Sequence, residues 1–203
     1  MENIQVGTFG WQHEKWNGSF YPEDMPEDWQ LDFYANTYRV VLVPEKQWCS
    51  WSSDEIAETV EAVEGEFSFF FELVSIEDET TVQALEVIAK EFGELAAGIV
   101  VFGDDVENVS NTIANLPVTM VSSSAVLETD LNWQWQTDNW MCSGNPCGVL
   151  KTLISDAKQQ TALLKSFMQS LPDDYEGAAL IVYEDVDMQQ LNNLKVIGEL
   201  LGY

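Results

Sequence analysis

Residues 7–22, GTFGWQHEKWNGSFYP, follow directly on a short apolar run and place three glycines, two tryptophans and a Phe-Tyr-Pro corner within one turn-rich stretch. Gly7 and Gly10 flank Thr8 and Phe9 where a first strand ends. Glycine there permits close backbone approach or a positive φ. Asn17-Gly18 reads as a turn and Pro22 as a stop, so residues 11–22 are expected to form an ordered loop and not a helix. Trp11 and Trp16 cover that loop, either as an aromatic plug or as the wall of a ligand site. His13, the only histidine of the chain, could act as a general base or a ligand, but no orienting partner is visible in sequence.

Outward from this segment, short apolar runs alternate with helical patterns, the signature of βα units on a largely parallel sheet. Strands are expected at Ile4–Phe9, Arg39–Val43, Phe67–Leu73, Gly98–Phe102, Val118–Ser122, Asn132–Gln136 and Ala178–Glu184. Helices are expected after the cap residues Ser52-Ser53-Asp54-Glu55, from Thr80 or Thr81 through Phe92, over Asn108–Leu116, over Val149–Leu171 and over Asp187–Leu201. The fold class is α/β, a TIM-barrel-like (β/α) barrel. Seven strands in 203 residues fall short of the ~250 residues typical of eight units. The barrel is therefore shortened, incomplete or irregular around residues 123–131, where too little chain remains for a crossover helix and another strand. One domain spans 1–203.

The charge is the second unusual property. Thirty-five acids against eight bases give a net charge of −27, and Arg39 is the only arginine. Both halves are acidic, with 21 acids and 4 bases up to residue 101 and 14 and 4 beyond it, so the excess belongs to the whole surface. Such a surface repels phosphate backbones and anionic lipid, which excludes nucleic acid and membrane as partners. Adaptation to a salty cytoplasm is the favoured reading, with attraction of a basic partner or cation and mimicry of nucleic-acid charge as alternatives. Three of the eight bases, Lys151, Lys158 and Lys165, recur at sevenfold spacing. They form a solvated stripe or a docking edge for an acidic surface. No apolar run approaches 18 residues and no leader precedes the first strand, so a cytoplasmic location is expected. Cys49, Cys142 and Cys147 fit no disulfide framework or zinc spacing and read as ordinary thiols.

The opening segment resembles the signature of the YecE-like family, the domain of unknown function seventy-two, whose members begin Gly-Thr-Ser-Gly-Trp, then Trp-x-Gly, then Phe-Tyr-Pro. Leu31-Asp32-Phe33-Tyr34-Ala35 is similar to the family's first helix, Tyr38–Val43 and Phe67–Glu72 to its second and third strands, and Ala179–Tyr183 with Leu191–Leu201 to its closing strand and helix. The resemblance implies a barrel and no settled reaction. It also implies polar groups at strand ends that this chain lacks. Leu42 and Pro44 stand for Glu and Asn, Glu72 for Lys, Gly103 for Gln, Met120, Ser122 and Ser123 for Glu, Arg and His, Gln134 and Gln136 for Arg and His, and Tyr183-Glu184-Asp185 for Phe-Asn-Asn. A site built for an anion does not survive the loss of its cationic donors.

What remains at the strand ends is acidic and aromatic. Glu72, Asp104 and Glu184 are the candidate catalytic carboxylates; Trp11, His13, Trp48 and Trp135 are the candidate ligand-binding residues. No metal or cofactor is expected, although Mg²⁺ or Ca²⁺ would suit such carboxylates, with Asp105 and Asp185 as further ligands. Trp11, Leu42, Trp48 and Met120 are the residues expected to fill a mouth without chemistry. The chain therefore reads as a diverged, non-catalytic barrel that binds a protein or a small molecule. The alternative is a carboxylate-based hydrolase, metal-dependent or glycoside-directed, at the carboxyl ends of the strands. If self-repulsion dominates the surface, added salt raises the melting temperature markedly; a melting temperature unchanged between low and molar salt rejects this.

Overall fold

The computed structural model describes residues 4–63, 65–104, 109–123, 133–173, 175, 177–184 and 186–203. In chain order the elements are β1 (Ile4–Phe9), α1 (Gln30–Ala35), β2 (Val40–Val43), α2 (Glu45–Trp48), α3 (Ser53–Glu61), β3 (Ser68–Leu73), α4 (Glu79–Phe92) and β4 (Ala96–Phe102). The second half holds β5 (Thr112–Ile113), β6 (Leu116–Ser122), β7 (Gln134–Gln136), β8 (Met141–Gly144), β9 (Cys147–Leu150), α5 (Ala157–Ser170), β10 (Ala178–Val182) and α6 (Met188–Leu201). The strands form a nearly closed barrel in the order β7-β8-β6-β4-β3-β2-β1-β10-β9. Seven of them, from β6 through β1 to β9, run parallel. The eighth place around the barrel is taken by β8, which runs antiparallel to β6. Among the described residues no helix is long and apolar enough to cross a membrane.

Parallel register puts paired residues on the same face of the sheet, which sorts each strand. Phe69 and Phe71 point outward, their rings 4.9 and 5.2 Å from that of Phe92 on α4. Phe70 and Glu72 therefore point into the barrel, beside Leu42 on β2 and Val100 on β4. The same alternation turns Phe9, Phe102 and Tyr183 inward at one end. The expectation that Gly7 serves a close approach holds, because a β-carbon there would lie 2.0 Å from the Val40 carbonyl oxygen. Tyr34 of α1 pins this pair of strands. Its buried hydroxyl accepts the Thr8 N–H at 3.1 Å and donates to the Val40 carbonyl at 2.9 Å, while the Thr8 hydroxyl donates to the Gly10 carbonyl at 2.6 Å.

Helix starts follow their caps. Ser52 and Glu55 form the expected capping box, which satisfies two orphan N–H groups at once. Helix α4 is capped by Asp78 and not by Thr80 or Thr81, which lie in its first turn and donate to the Asp78 carboxylate. Asp156 and Asp187 cap α5 and α6.

Three sequence expectations are corrected. The span 149–171 is not one helix: Cys147–Leu150 is strand β9, and α5 begins at Ala157. A run of buried apolar residues looks alike in either state, and its parallel pairing with β10 decides it. Within 108–116 a hairpin replaces the helix, because Ala114 and Asn115 adopt φ of 51° and 61° and turn β5 back onto β6; positive φ at both turn positions is the twist that hairpins require. The strand expected at 132–136 is the three-residue β7, which pairs only with β8. Seven parallel strands thus exist, but β9 replaces β7 among them. Asn108, Asn132 and residues 124–131 lie outside the described residues.

Tyr34→Phe removes the buried hydroxyl that bridges the Thr8 N–H and the Val40 carbonyl. It is expected to cost about 1–3 kcal/mol, read as a lower urea midpoint at an unchanged slope.

Candidate functional site

The carboxyl ends of the parallel strands gather at one mouth, the face where barrels of this type carry their chemistry. Four aromatic rings meet there. Tyr183, just after β10, lies 4.2 Å from Phe9, 4.8 Å from Phe102 and 5.5 Å from Trp140, and Phe102 lies 5.5 Å from Trp140. All four are half-buried, so the mouth is floored by ring faces and edges that still reach solvent. Trp140 arrives from the turn ahead of β8, the strand that fills the irregular place in the barrel.

Beneath the rings sits Glu72, 8 % exposed. Its Oε1 accepts the Tyr183 hydroxyl at 3.2 Å, and its Oε2 accepts the Glu45 N–H at 3.0 Å. The Glu72 backbone carbonyl accepts the Trp48 indole N–H at 2.8 Å. Glu45 in turn receives the Val74 N–H. Burial raises the Glu72 carboxyl above the usual carboxylate range, and its hydrogen bonds to Glu45 and Tyr183 only partly oppose that. Tyr183 is pushed up to about 12, by burial first and by the neighbouring Glu72 charge second.

The other candidates do not join this pair. Asp104 is exposed at the end of β4 and accepts from the Ser122 hydroxyl and from both the N–H and hydroxyl of Ser123, at 2.6–2.7 Å. It ties β4 to β6. Glu184 is exposed; its N–H donates to the Lys151 carbonyl at 2.8 Å. Asp105 and Asp185 lie outside the described residues. Among the described residues no three His, Cys, Asp or Glu side chains gather as a metal-ligand set.

His13 Nε2 lies 2.8 Å from the Phe9 carbonyl. A carbonyl only accepts, so Nε2 carries the proton and Nδ1 is left as an acceptor. Burial lowers its pKa, with Lys15 and Lys46 adding to that, while the bond to Phe9 opposes it. Its ring rests 4.2 Å from Trp16, whose indole N–H donates to the Val186 carbonyl at 3.0 Å. Trp11 is buried, its carbonyl accepting the Tyr21 hydroxyl at 2.6 Å. Its ring lies 6.3 Å from Trp51, which stacks on Phe92 in the outer layer. Trp135 is outside the barrel too, donating to the Ser166 hydroxyl at 3.2 Å with its ring 4.9 Å from Phe167 of α5. Met120 pairs with Val101 on the outer face. Of the residues expected to fill the mouth, Leu42 faces inward beside Phe9, and Trp48 is buried with its indole on the Glu72 backbone. The rings that fill it are Phe9, Phe102, Trp140 and Tyr183. The signal that could have found three of them is the parity of inward positions along β1, β4 and β10.

A family model described as "Protein of unknown function DUF72" matches residues 5–107. No curated protein matches the chain. Among solved structures, a DUF72 family protein from Thermotoga maritima superposes with a TM-score of 0.67 at 11% identity, over 98% of this chain and 99% of that one. A DUF72 family protein from Enterococcus faecalis gives a TM-score of 0.62 at 11% identity, over 100% and 99%. At such identity the likeness concerns the fold.

Because the Glu72 carboxyl holds its proton to higher pH in the folded than in the unfolded chain, its contribution to stability is complete below the ordinary carboxylate range. That contribution is lost as pH rises through the raised folded value. Glu72→Gln keeps an acceptor and a polar contact but removes the titration. Its stability relative to the parent chain is expected to rise between pH of about 4 and about 8, measured by urea unfolding at each pH; a constant difference rejects the assignment.

Proposed function

The chain belongs to the DUF72 family, proteins of unknown function, and from that premise we propose that it acts by binding, not by catalysis. Its ligand is a small molecule with a flat, weakly polar face, a saccharide ring being the best fit. The observation that carries this reading is the mouth itself. Four half-exposed rings offer faces and edges on which the C–H side of a sugar packs, with the Tyr183 hydroxyl and the Glu72 carboxyl as the polar groups at its edge. Glu72 already has both oxygens in protein hydrogen bonds, and Asp104 has its oxygens on Ser122 and Ser123. Glycoside hydrolysis needs two free carboxyls facing one bond across about 5–9.5 Å, and the described residues offer Glu72 alone inside the mouth.

The hydrolase alternative keeps one point in its favour. A buried carboxyl whose proton is retained upward of the usual range is the kind of group that serves as a general acid. A metal-dependent version would draw on Mg²⁺ or Ca²⁺. Nucleic acid and anionic membranes are not partners in either reading, given a net charge of −27.

A panel of mono- and disaccharides titrated against intrinsic fluorescence separates the two, with the same mixtures assayed for hydrolysis with and without Mg²⁺ and Ca²⁺. Saturable binding without turnover is expected, weakened about tenfold by Trp140→Ala, the equivalent of about 1.4 kcal/mol. Turnover abolished by Glu72→Gln establishes the hydrolase instead, and the absence of binding to every sugar sinks both.

A further inference from the structure

A second place for a ligand lies on the flank of the barrel, independent of the mouth. Between the β7–β8 hairpin and α5 run two adjoining cavities of about 280 and 540 Å³, which share Thr137, Asp138 and Leu163. In a regular barrel each strand is followed by a helix packed outside it, but the described residues between β6 and β9 form only the hairpin.

The smaller cavity carries one charge of each sign, from different elements. Lys151 comes from the connection after β9, and Asp138 from the turn after β7. Neither side chain makes an ion pair or hydrogen bond with any described residue, so the two are not paired with each other. A lysine in a cavity with no partner among the described residues stands out where only eight bases serve the whole chain. Between them the wall is apolar, from Leu150, Leu153 and Leu163. Gln160 borders the cavity, but its side-chain oxygen is sealed from it. It is 1% exposed, and its Nε2 donates to the Ile154 carbonyl at 2.7 Å, which fixes the other end of the amide as oxygen. That Oε1 has no partner among the described residues and no open path to a ligand.

We propose that this cavity binds a small aliphatic zwitterion, an α-amino acid with a branched side chain. The ligand carboxylate meets Lys151, its ammonium meets Asp138, and its side chain packs on Leu153 and Leu163. A simple anion would face Asp138 and the acidic surface, and a simple cation would face Lys151. Only a ligand that carries both charges compensates both groups.

The test is calorimetric titration of the intact chain with L-leucine, isoamylamine and isocaproate, which keep both charges, the ammonium alone and the carboxylate alone. Saturable binding of leucine is expected, with each single-charge analogue about tenfold weaker or worse. Lys151→Met and Asp138→Asn should each weaken leucine by a similar factor, and Asp138→Asn should spare isocaproate. Phe9→Leu, which alters the mouth from β1 on the far side from the hairpin turn, should leave leucine binding unchanged, so failure here and failure of the saccharide reading are separate results. No saturable heat with leucine at millimolar concentration overturns the proposal, as does isocaproate binding as tightly as leucine. If Lys151→Met fails to fold, Asp138→Asn, at an exposed position, decides: an unchanged leucine affinity there overturns it.

Discussion

Closure of the barrel is the constraint from which the unusual features of this structure follow. A sheet rolled into a barrel must satisfy its last edge, and here the two edges do not meet as a ladder. The β7–β8 hairpin laps over β9 instead. Cys142 and Trp135, neighbours on one face of the hairpin, lie against that strand. The Val149 N–H donates to the Cys142 sulfur at 3.3 Å, and the sulfur lies 3.7 Å from the Val149 carbonyl. Burial pushes the Cys142 thiol up to about 12, so it keeps its proton and acts as both donor and acceptor across the seam. Gly148 is bare for the same reason. A β-carbon there would lie 2.8 Å from Leu180 and Phe167 and 3.0 Å from the Trp135 ring.

The seam also explains where the molecule is filled and where it is open. Trp133 and Trp135, held by Ser170 and Ser166 at 3.1 and 3.2 Å, occupy the outer side of β9 and pack on Phe167 of α5. The two cavities adjoin this packing beside α5. On the inner side the hairpin delivers Trp140 to the mouth, where its ring completes the cluster around Tyr183. An irregular closure thus supplies both the fourth ring of one candidate site and the wall of the other.

The acidic surface and the buried Glu72 obey the same electrostatics with opposite results. Exposed Asp78 and Glu55 are held below the usual carboxylate range, chiefly by hydrogen bonds from Thr81 and Ser52 respectively. Several acids thereby serve as helix caps, where negative charge is favoured by the helix dipole. Glu72 is pushed the other way, because inside the barrel end its desolvation outweighs two hydrogen bonds. Cations are too few to compensate either population, and an exposed pair such as Lys195 with Glu199 at 3.9 Å adds little.

The sequence by itself determined the α/β barrel, the positions of β1–β4, β6 and β10, the capping box at Ser52 and the turn-rich loop after β1. These depend on local chemistry: alternating apolar runs, cap residues, and glycine where backbones crowd. It also named Glu72 among three candidate carboxylates at strand ends, with Asp104 and Glu184, without telling which one faces inward. Only the tertiary structure decided that Cys147–Leu150 is a strand, that 108–116 holds a hairpin, that Trp11 and Trp135 lie away from the mouth while Phe9, Phe102, Trp140 and Tyr183 meet there, and that Lys151 and Asp138 share a cavity. Those facts depend on which residues become neighbours when a sheet of seven parallel strands closes with an antiparallel eighth. Strand pairing is non-local, and an apolar run carries no mark of the partner that will fix its state.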